Sequence, residues 1–447
     1  REDIDSGADL AAIARARRGP LDLLWRVARA AALGRRERAG PGGWFRGQEL
    51  IIGRDADGGA VSIPFGALNA GTHALLVGAT GSGKTVTQTW IAVRAIERGM
   101  GAIVLDPKGD RAMLAAVRRA AGLAGRAFVE WSPDGASVYN PFARGRDSEI
   151  ADKVLAGERF TEPHYLRQAQ RYLGYVVRAM RKTGLEVSLQ GIVAHLEPAQ
   201  LERLVRTLPE ADARSTHDYL DSLTARQRGD LSGVRDRLAI LAESDVGAWL
   251  DPRTPTAERF GLLEAVRARS VVYFNLDSDS RPLLSQMLGA AIVQDLQATV
   301  AALQGRPVPT LAVIDEFSAI AAEQAVRLFG RARSAGLSLV LSTQELADLR
   351  LPGRERMLEQ VMGNLSVLIA HRQVVPDSGE LIASLAGSTG AWRTSRHGDG
   401  RITRTRTRER LLDADQLASL PPGWAAVIVL AYGQGARIAR VFCVGER

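Results

Sequence analysis

The octet Gly78, Ala79, Thr80, Gly81, Ser82, Gly83, Lys84 and Thr85 is built for holding phosphate. It reads glycine, four residues, glycine, lysine, threonine, and it follows the apolar run "HALLV" directly. Gly78, Gly81 and Gly83 let the chain bend so that successive N–H groups point inward at phosphate oxygens. A helix starting near Lys84 adds its positive N-terminal end. Lys84 brings a mobile charge for the β- and γ-phosphates, and the Thr85 hydroxyl is placed to ligate Mg²⁺. Far downstream, "LAVIDEF" ends a strand in two carboxylates. Asp315 is the expected holder of Mg²⁺ through its hydration shell, and Glu316 the group that polarises a water for attack on the γ-phosphate. Gln344 closes the next strand, in "LVLSTQ", where its amide can hydrogen-bond that water or the γ-phosphate. No N-K-x-D base-reading motif occurs, so ATP rather than GTP is the expected nucleotide. Arg372, Arg331 and Arg333 are candidates for an arginine that stabilises charge at a neighbouring subunit's site. Asp106 and Lys108, in "DPKGD", either support the nucleotide pocket or a subunit contact, or sit in a turn fixed by Pro107 and Gly109.

These groups need strands that end side by side. From about residue 50 the chain alternates short apolar runs with turns and helical stretches: "ALLV", "AIVL", "VVYF", "LAVI", "LSLVLS" and "VLIA". Continuous apolar strands alternating with helices predict an α/β fold with a mainly parallel sheet covered on both faces. "AAVIVL" and "ARIARVFCV" are expected edge strands. Residues 143–255 break the rhythm with helical stretches, which predicts an all-α domain inserted between 50–142 and 256–447. Residues 1–49 form a separate basic segment with a helix expected between Leu21 and Leu33, docked on the core or lying on a membrane surface.

The chain has 447 residues, 46% of them apolar, and a net charge of +8, which suits a globular protein of two or three domains. Its single cysteine, Cys443, excludes an internal disulfide. The absence of an apolar run of about 18 residues predicts no membrane span within the chain; its start at Arg1 leaves open an anchor upstream. Eight arginines fall between Arg15 and Arg38, and seven between Arg393 and Arg410. In "RITRTRTRER", Arg404, Arg406, Arg408 and Arg410 alternate with threonines or Glu409, so a strand there puts guanidiniums on one face, able to track a phosphate backbone. Tyr165, Tyr172 and Tyr175 interleave with Arg167, Arg171, Arg178, Arg181 and Lys182; they either form core or stack on single strands. Lysine is confined to Lys84, Lys108, Lys153 and Lys182. The six histidines show no metal-ligand spacing, and no G-x-S-x-G or Cys/His pattern points to covalent catalysis.

Taken in order, "HALLVGATGSGKT", "IVLDPKGD", "YNPF", the helical insertion, "LAVIDEF", "GLSLVLSTQ" and "LLDADQLASLPPGWAAVIVL" resemble the coupling ATPases of conjugative DNA transfer and type IV secretion, the TraG/TraD-type family, itself similar to the FtsK and HerA motors. The resemblance covers roughly residues 50–447. It implies a RecA-like core, a homo-hexamer with sites between subunits, and use of ATP and Mg²⁺. It implies as partners single-stranded DNA bound non-specifically, a relaxase or effector protein as cargo, and a type IV secretion channel. It places such proteins at the cytoplasmic face of the bacterial inner membrane, held by an N-terminal anchor. Two other readings remain open on the sequence: a duplex-DNA translocase of the FtsK/HerA type, and a docking adaptor that recruits protein substrates while ATP gates assembly.

Overall fold

The computed structural model describes residues 43–65, 71–158, 160, 162–255, 258–320, 322–350, 356–396, 402–430 and 435–445. In chain order the core opens with β1 (Phe45–Arg46), β2 (Glu49–Arg54), β3 (Ala60–Pro64), β4 (His73–Val77), α1 (Lys84–Glu97), β5 (Gly101–Asp106), α2 (Arg111–Leu123) and β6 (Phe128–Trp131). A helical segment follows: α3 (Asp147–Val154), α4 (Pro163–Lys182), α5 (Leu189–His195), α6 (Pro198–Val205), α7 (Glu210–Ser222) and α8 (Ala225–Ala242). The core resumes with β7 (Val271–Asn275), α9 (Pro282–Ala302), β8 (Thr310–Ile314), α10 (Ala322–Ala332), β9 (Leu337–Thr343), β10 (Val367–Ala370), α11 (Pro376–Ala386), β11 (Trp424–Val429) and β12 (Gly435–Val441).

The twelve strands make one sheet in the order β1-β2-β12-β11-β10-β4-β9-β8-β5-β7-β6, with β3 on β2. From β10 to β6 every neighbouring pair is parallel. Every residue of β4, β5, β8, β9 and β10 is buried, as apolar runs with helices on both faces require. Parallel strands end on one side, so the loops after β4, β5, β8, β9 and β10 share one rim. β11 and β12 are not edges. They run antiparallel between β10 and β2, and β1 to β3 take the outer position.

That edge also moves the boundary expected at residue 49. Trp44 packs edge-on to Trp90 of α1 at 4.8 Å, and Arg94 lies 4.3 Å from the Trp90 ring. The chain from Trp44 onward is therefore part of the core layer rather than of the separate basic segment. The helix expected between Leu21 and Leu33, with the arginines around it, lies outside the described residues.

Where the chain leaves and rejoins the core around the helical segment, Ser137–Tyr139 pairs in parallel with Glu258–Phe260. A buried ion pair reinforces this neck. Lys153 of α3 donates to Asp295 Oδ1 of α9 at 2.5 Å, to Arg144 O at 2.7 Å and to Pro141 O at 3.0 Å. Tyr139 donates to the other oxygen of Asp295 at 2.7 Å.

Within the helical segment, α4 turns Ala169, Tyr172, Leu173, Val176, Val177 and Met180 inward at helical spacing. Tyr172 is core, and Tyr175 stacks on Tyr219 at 4.5 Å. The nearby cations are engaged inside the chain: Arg178 and Arg181 with Asp147, Lys182 with Asp212, and Arg171 over the Tyr219 ring. Tyr172 and Tyr175 thus take the structural reading, while Tyr165 accepts from Arg226 at 3.1 Å and Arg167 is exposed. No helix among the described residues is long and apolar enough to cross a membrane.

Candidate functional site

The glycine loop joins β4 to α1, and its shape is enforced by neighbours. A β-carbon on Gly78 would lie 2.6 Å from His371 Cβ, so only glycine fits there. Gly83, the residue before α1, has φ 110°, a conformation that glycine adopts without strain. The loop is clamped from β10 and β11: Ala79 N donates to Arg372 O at 3.0 Å, and Gly423 N donates to Ser82 O at 3.0 Å. Lys84 is buried, and its ammonium donates to Gly78 O at 2.5 Å. Burial lowers its pKa, while the charges of Glu316 and Asp315 pull the other way.

Ser342 of β9 links the two acids. Its hydroxyl donates to Asp315 Oδ1 and accepts from Glu316 N at 3.1 Å. Glu316 has φ 46°, left-handed backbone that costs a non-glycine residue energy and is retained where the surroundings fix it. Here the turn aims the carboxylate across the rim. Glu316 Oε1 accepts from Lys108 Nζ at 3.0 Å and from Gln344 Nε2 at 3.3 Å. Gln344 Oε1 accepts from Thr80 Oγ1 at 3.5 Å. A hydrogen-bonded path therefore runs from the phosphate loop through Gln344 to Glu316 and on to Lys108.

Lys108 reaches Glu316 because Asp106 organises its turn. The Asp106 carboxylate accepts from the backbone N–H groups of Lys108, Gly109 and Asp110 at 2.9, 3.0 and 2.6 Å, and from Tyr273 OH at 2.5 Å. The turn reading of "DPKGD" is realised: Asp106 builds the turn, and the turn delivers Lys108 to Glu316.

Asp315 is buried with Glu316 and Asp106 close by, and burial is the main cause of its raised pKa. Such a carboxylate gains from a cation. Among the described residues no cluster of three or more His, Cys, Asp or Glu side chains could hold a metal alone. That donor set fits Mg²⁺, which binds through one or two carboxylates together with substrate phosphates. Thr85 and Asp315 are the residues that would hold it, and when bound the ion would neutralise charge on the phosphates.

The arginine candidates separate. Arg372 lies on the rim, its backbone bound to the phosphate loop of its own chain. Arg333 donates to Asn364 O and Ser366 Oγ at 3.2 and 3.3 Å, just before β9 begins, and Arg331 ends α10 on the same side. β9 spans seven residues, roughly 23 Å. Arg331 and Arg333 therefore lie a strand's length from the rim that carries Lys84, and neither serves the site of its own chain.

His371 braces the loop from behind. Its Nδ1 is 3.1 Å from Trp424 O, and its Nε2 is 3.0 Å from Thr87 Oγ1. A carbonyl only accepts, so the neutral ring carries its proton on Nδ1 and Thr87 donates to Nε2. Burial, aided by the Lys84 charge, lowers the His371 pKa from 6.5 to about 4. An unfolded chain takes up this proton near pH 6.5, whereas the folded ring refuses it until about pH 4. Stability from the neutral ring is complete above pH 6.5 and is lost as pH falls to 4, about 3 kcal/mol in all. The unfolding midpoint should fall through that window, and His371→Gln should flatten the fall. An unchanged slope in the variant would remove His371 as its cause.

Sequence reasoning missed Ser342, Tyr273 and Gly423, and gave His371 no role beyond excluding it from metal sites. A polar residue inside an apolar strand, as Ser342 is in "LSLVLST", was the available signal.

A family model described as the central domain of the helicase HerA matches residues 50–244, and one described as the TraM recognition site of TraD and TraG matches residues 309–422. The type 4 coupling protein DotL of Legionella pneumophila is 22% identical over 356 residues, 64% of this chain and 45% of DotL. The chain thus spans less than half the length of that relative. Among solved structures, the plasmid coupling protein TrwB in complex with ADP and Mg²⁺ superposes with a TM-score of 0.65 at 17% identity, covering 93% of each chain. VirB4 of Thermoanaerobacter pseudethanolicus gives 0.58 at 16% identity, covering 90% of this chain and 98% of that one. With the phosphate loop, the acidic pair and a RecA-like sheet, the chain is a P-loop ATPase whose residues 50–244 are similar to the HerA central domain. Its likenesses among these include coupling proteins of type IV secretion, the TraG/TraD-type group, which it resembles in residues 309–422 and in its similarity to DotL.

Proposed function

We propose that the chain binds ATP and Mg²⁺ between the loop Gly78–Thr85 and the Asp315–Glu316 pair, and uses hydrolysis to deliver DNA, or protein joined to DNA, to a type IV secretion channel. The observation that carries this reading is the path from Thr80 through Gln344 to Glu316, which joins loop and acid although they are far apart in the chain. In this reading Lys84 and the loop amides hold the phosphates. Thr85 and Asp315 hold the ion, Glu316 receives a proton from the attacking water, and Gln344 relays between water and loop. The working form is a homo-hexamer at the cytoplasmic face of the inner membrane, with Arg372, Arg331 or Arg333 serving a neighbour's site. The family likeness and the TrwB complex with ADP and Mg²⁺ support it.

The match to the HerA central domain favours a second reading, a translocase on duplex DNA. Steady-state phosphate release without DNA, with single-stranded DNA and with duplex decides between them. Stimulation by single strands, abolished in Lys84→Ala, is expected. Stimulation by duplex alone supports the second reading. Turnover indifferent to both leaves only a protein-recruiting adaptor.

A further inference from the structure

We propose that the two-stranded ribbon Ser388–Arg396 and Ile402–Arg410 is a docking platform for single-stranded nucleic acid, with Trp392 as its stacking surface. The inference rests on the DNA-engaging reading above and gives it a site. The strands pair antiparallel, with Trp392 opposite Arg406, Gly390 opposite Arg408 and Thr394 opposite Arg404. Directly opposed residues share a face and side chains alternate along each strand, so Trp392, Arg404, Arg406 and Arg408 lie on one face. The register thus adds an aromatic ring to the arginine row that the sequence shows.

Burial of the core does not explain that ring. Trp392 is 68% exposed, whereas Trp90 and Trp131 are fully buried. Gly390 keeps the surface beside it open: a β-carbon there would lie 3.3 Å from Arg406 Nε, so the guanidinium lies against the bare backbone. Arg404, Arg406 and Arg408 are exposed, and none makes a hydrogen bond or ion pair with a described residue. Arg410, at the base, is held by Glu380 at 2.6 Å. On α4, by contrast, Arg178, Arg181 and Lys182 are paired with acids of the same chain. Three exposed cations without a described partner thus line up beside an exposed indole.

The geometry selects the ligand. Residues two apart on a strand lie about 6.8 Å apart, while a stacked nucleic-acid strand rises about 3.4 Å per nucleotide. The arginines match every second phosphate of a stacked strand or successive phosphates of an extended one. Only an unpaired base can offer its face to the indole, since a duplex keeps its bases stacked inside. A single ring among evenly spaced cations binds any base, which suits cargo of no fixed sequence.

Fluorescence anisotropy of the whole chain tests this with labelled oligothymidylate, an abasic strand of equal length, a duplex, and vesicles of phosphatidylserine and phosphatidylcholine. Trp392→Ala should weaken oligothymidylate binding about tenfold or more, leave abasic binding unchanged, and be rescued largely by Trp392→Phe. Replacing Arg404, Arg406 and Arg408 by alanine should lower the salt slope by about 2 for both strands. Equal losses on the abasic strand, or losses confined to duplex or vesicles, would overturn the stacking role. Wild-type binding that Trp392→Ala leaves intact would overturn this site and spare the proposed function. A wild-type chain that binds no nucleic acid would overturn both. Phosphate release without DNA should match wild type in every ribbon variant, since no hydrogen bond or ion pair among the described residues joins the ribbon to the loop or the acids.

Discussion

Glu316→Gln should lower ATP turnover by about 10²- to 10⁴-fold while changing nucleotide affinity only a few-fold. Lys108 and Gln344 both donate to Glu316 Oε1, and no described residue donates to Oε2. One oxygen fixes the side chain, and the other is left to accept a proton. Glutamine keeps the shape, and the left-handed backbone held by Ser342 persists, but a neutral amide cannot take a proton from water. Lys84→Ala should behave differently, losing affinity for the triphosphate along with turnover, because it removes the charge nearest the phosphates. The two are separated by titrating a fluorescent nucleotide beside steady-state phosphate release on the assembled protein. Turnover in Glu316→Gln within tenfold of wild type would dismiss this carboxylate as the proton acceptor. The role would then pass to another group on the rim.

Lys153→Met should destabilise the protein by about 3–5 kcal/mol, an effect on folding as large as any expected on catalysis. The variant strands Asp295, a carboxylate whose pKa burial already raises and which Lys153 and Tyr139 help to keep ionised. Lys153→Arg should fail nearly as badly. The ammonium donates in three directions, to Asp295, Arg144 O and Pro141 O, and a planar guanidinium cannot reproduce that arrangement in the same space. The double variant Lys153→Met with Asp295→Leu should recover much of the loss, since an apolar pair of similar volume leaves no charge buried alone. Urea unfolding followed by tryptophan fluorescence reads wild type, both lysine variants, Asp295→Leu alone and the double variant. A double variant as weak as the sum of the two singles would mean that Lys153 and Asp295 act independently, and the neck would need another account. The position also explains a retained lysine in a chain that otherwise prefers arginine.

Much of the site was legible because local chemistry dictates it. Gly78 to Thr85 announces a phosphate loop from residue types alone, since backbone curvature, an ammonium and a hydroxyl are needed in that order. Asp315, Glu316 and Gln344 could be placed at strand ends because a continuous apolar run stops where the rim begins. The environment of those residues was not legible. Ser342 looks like an ordinary polar residue until β8 and β9 are laid side by side. Lys108 looks like turn composition until Asp106 folds its loop toward Glu316. His371 carries no motif, and its role exists only because β10 lies beside β4.

The basic stretches show the same division. Pattern alone could not separate the cations of α4 from those of the ribbon. Packing pairs Arg178, Arg181 and Lys182 with Asp147 and Asp212 and leaves Arg404, Arg406 and Arg408 exposed beside Trp392. Periodicity likewise located β11 and β12 but not their place in the sheet, because antiparallel order depends on which edge the chain returns to.

By itself the sequence determined the class of chemistry and the kind of sheet that carries it, because glycine geometry, charge type and apolar periodicity act over a few neighbouring residues. The tertiary structure alone decided which distant groups meet: Thr80 with Gln344, Lys108 with Glu316, Lys153 with Asp295. Those contacts join segments whose separation is set by sheet order and register, and neither is written in any local stretch of the chain.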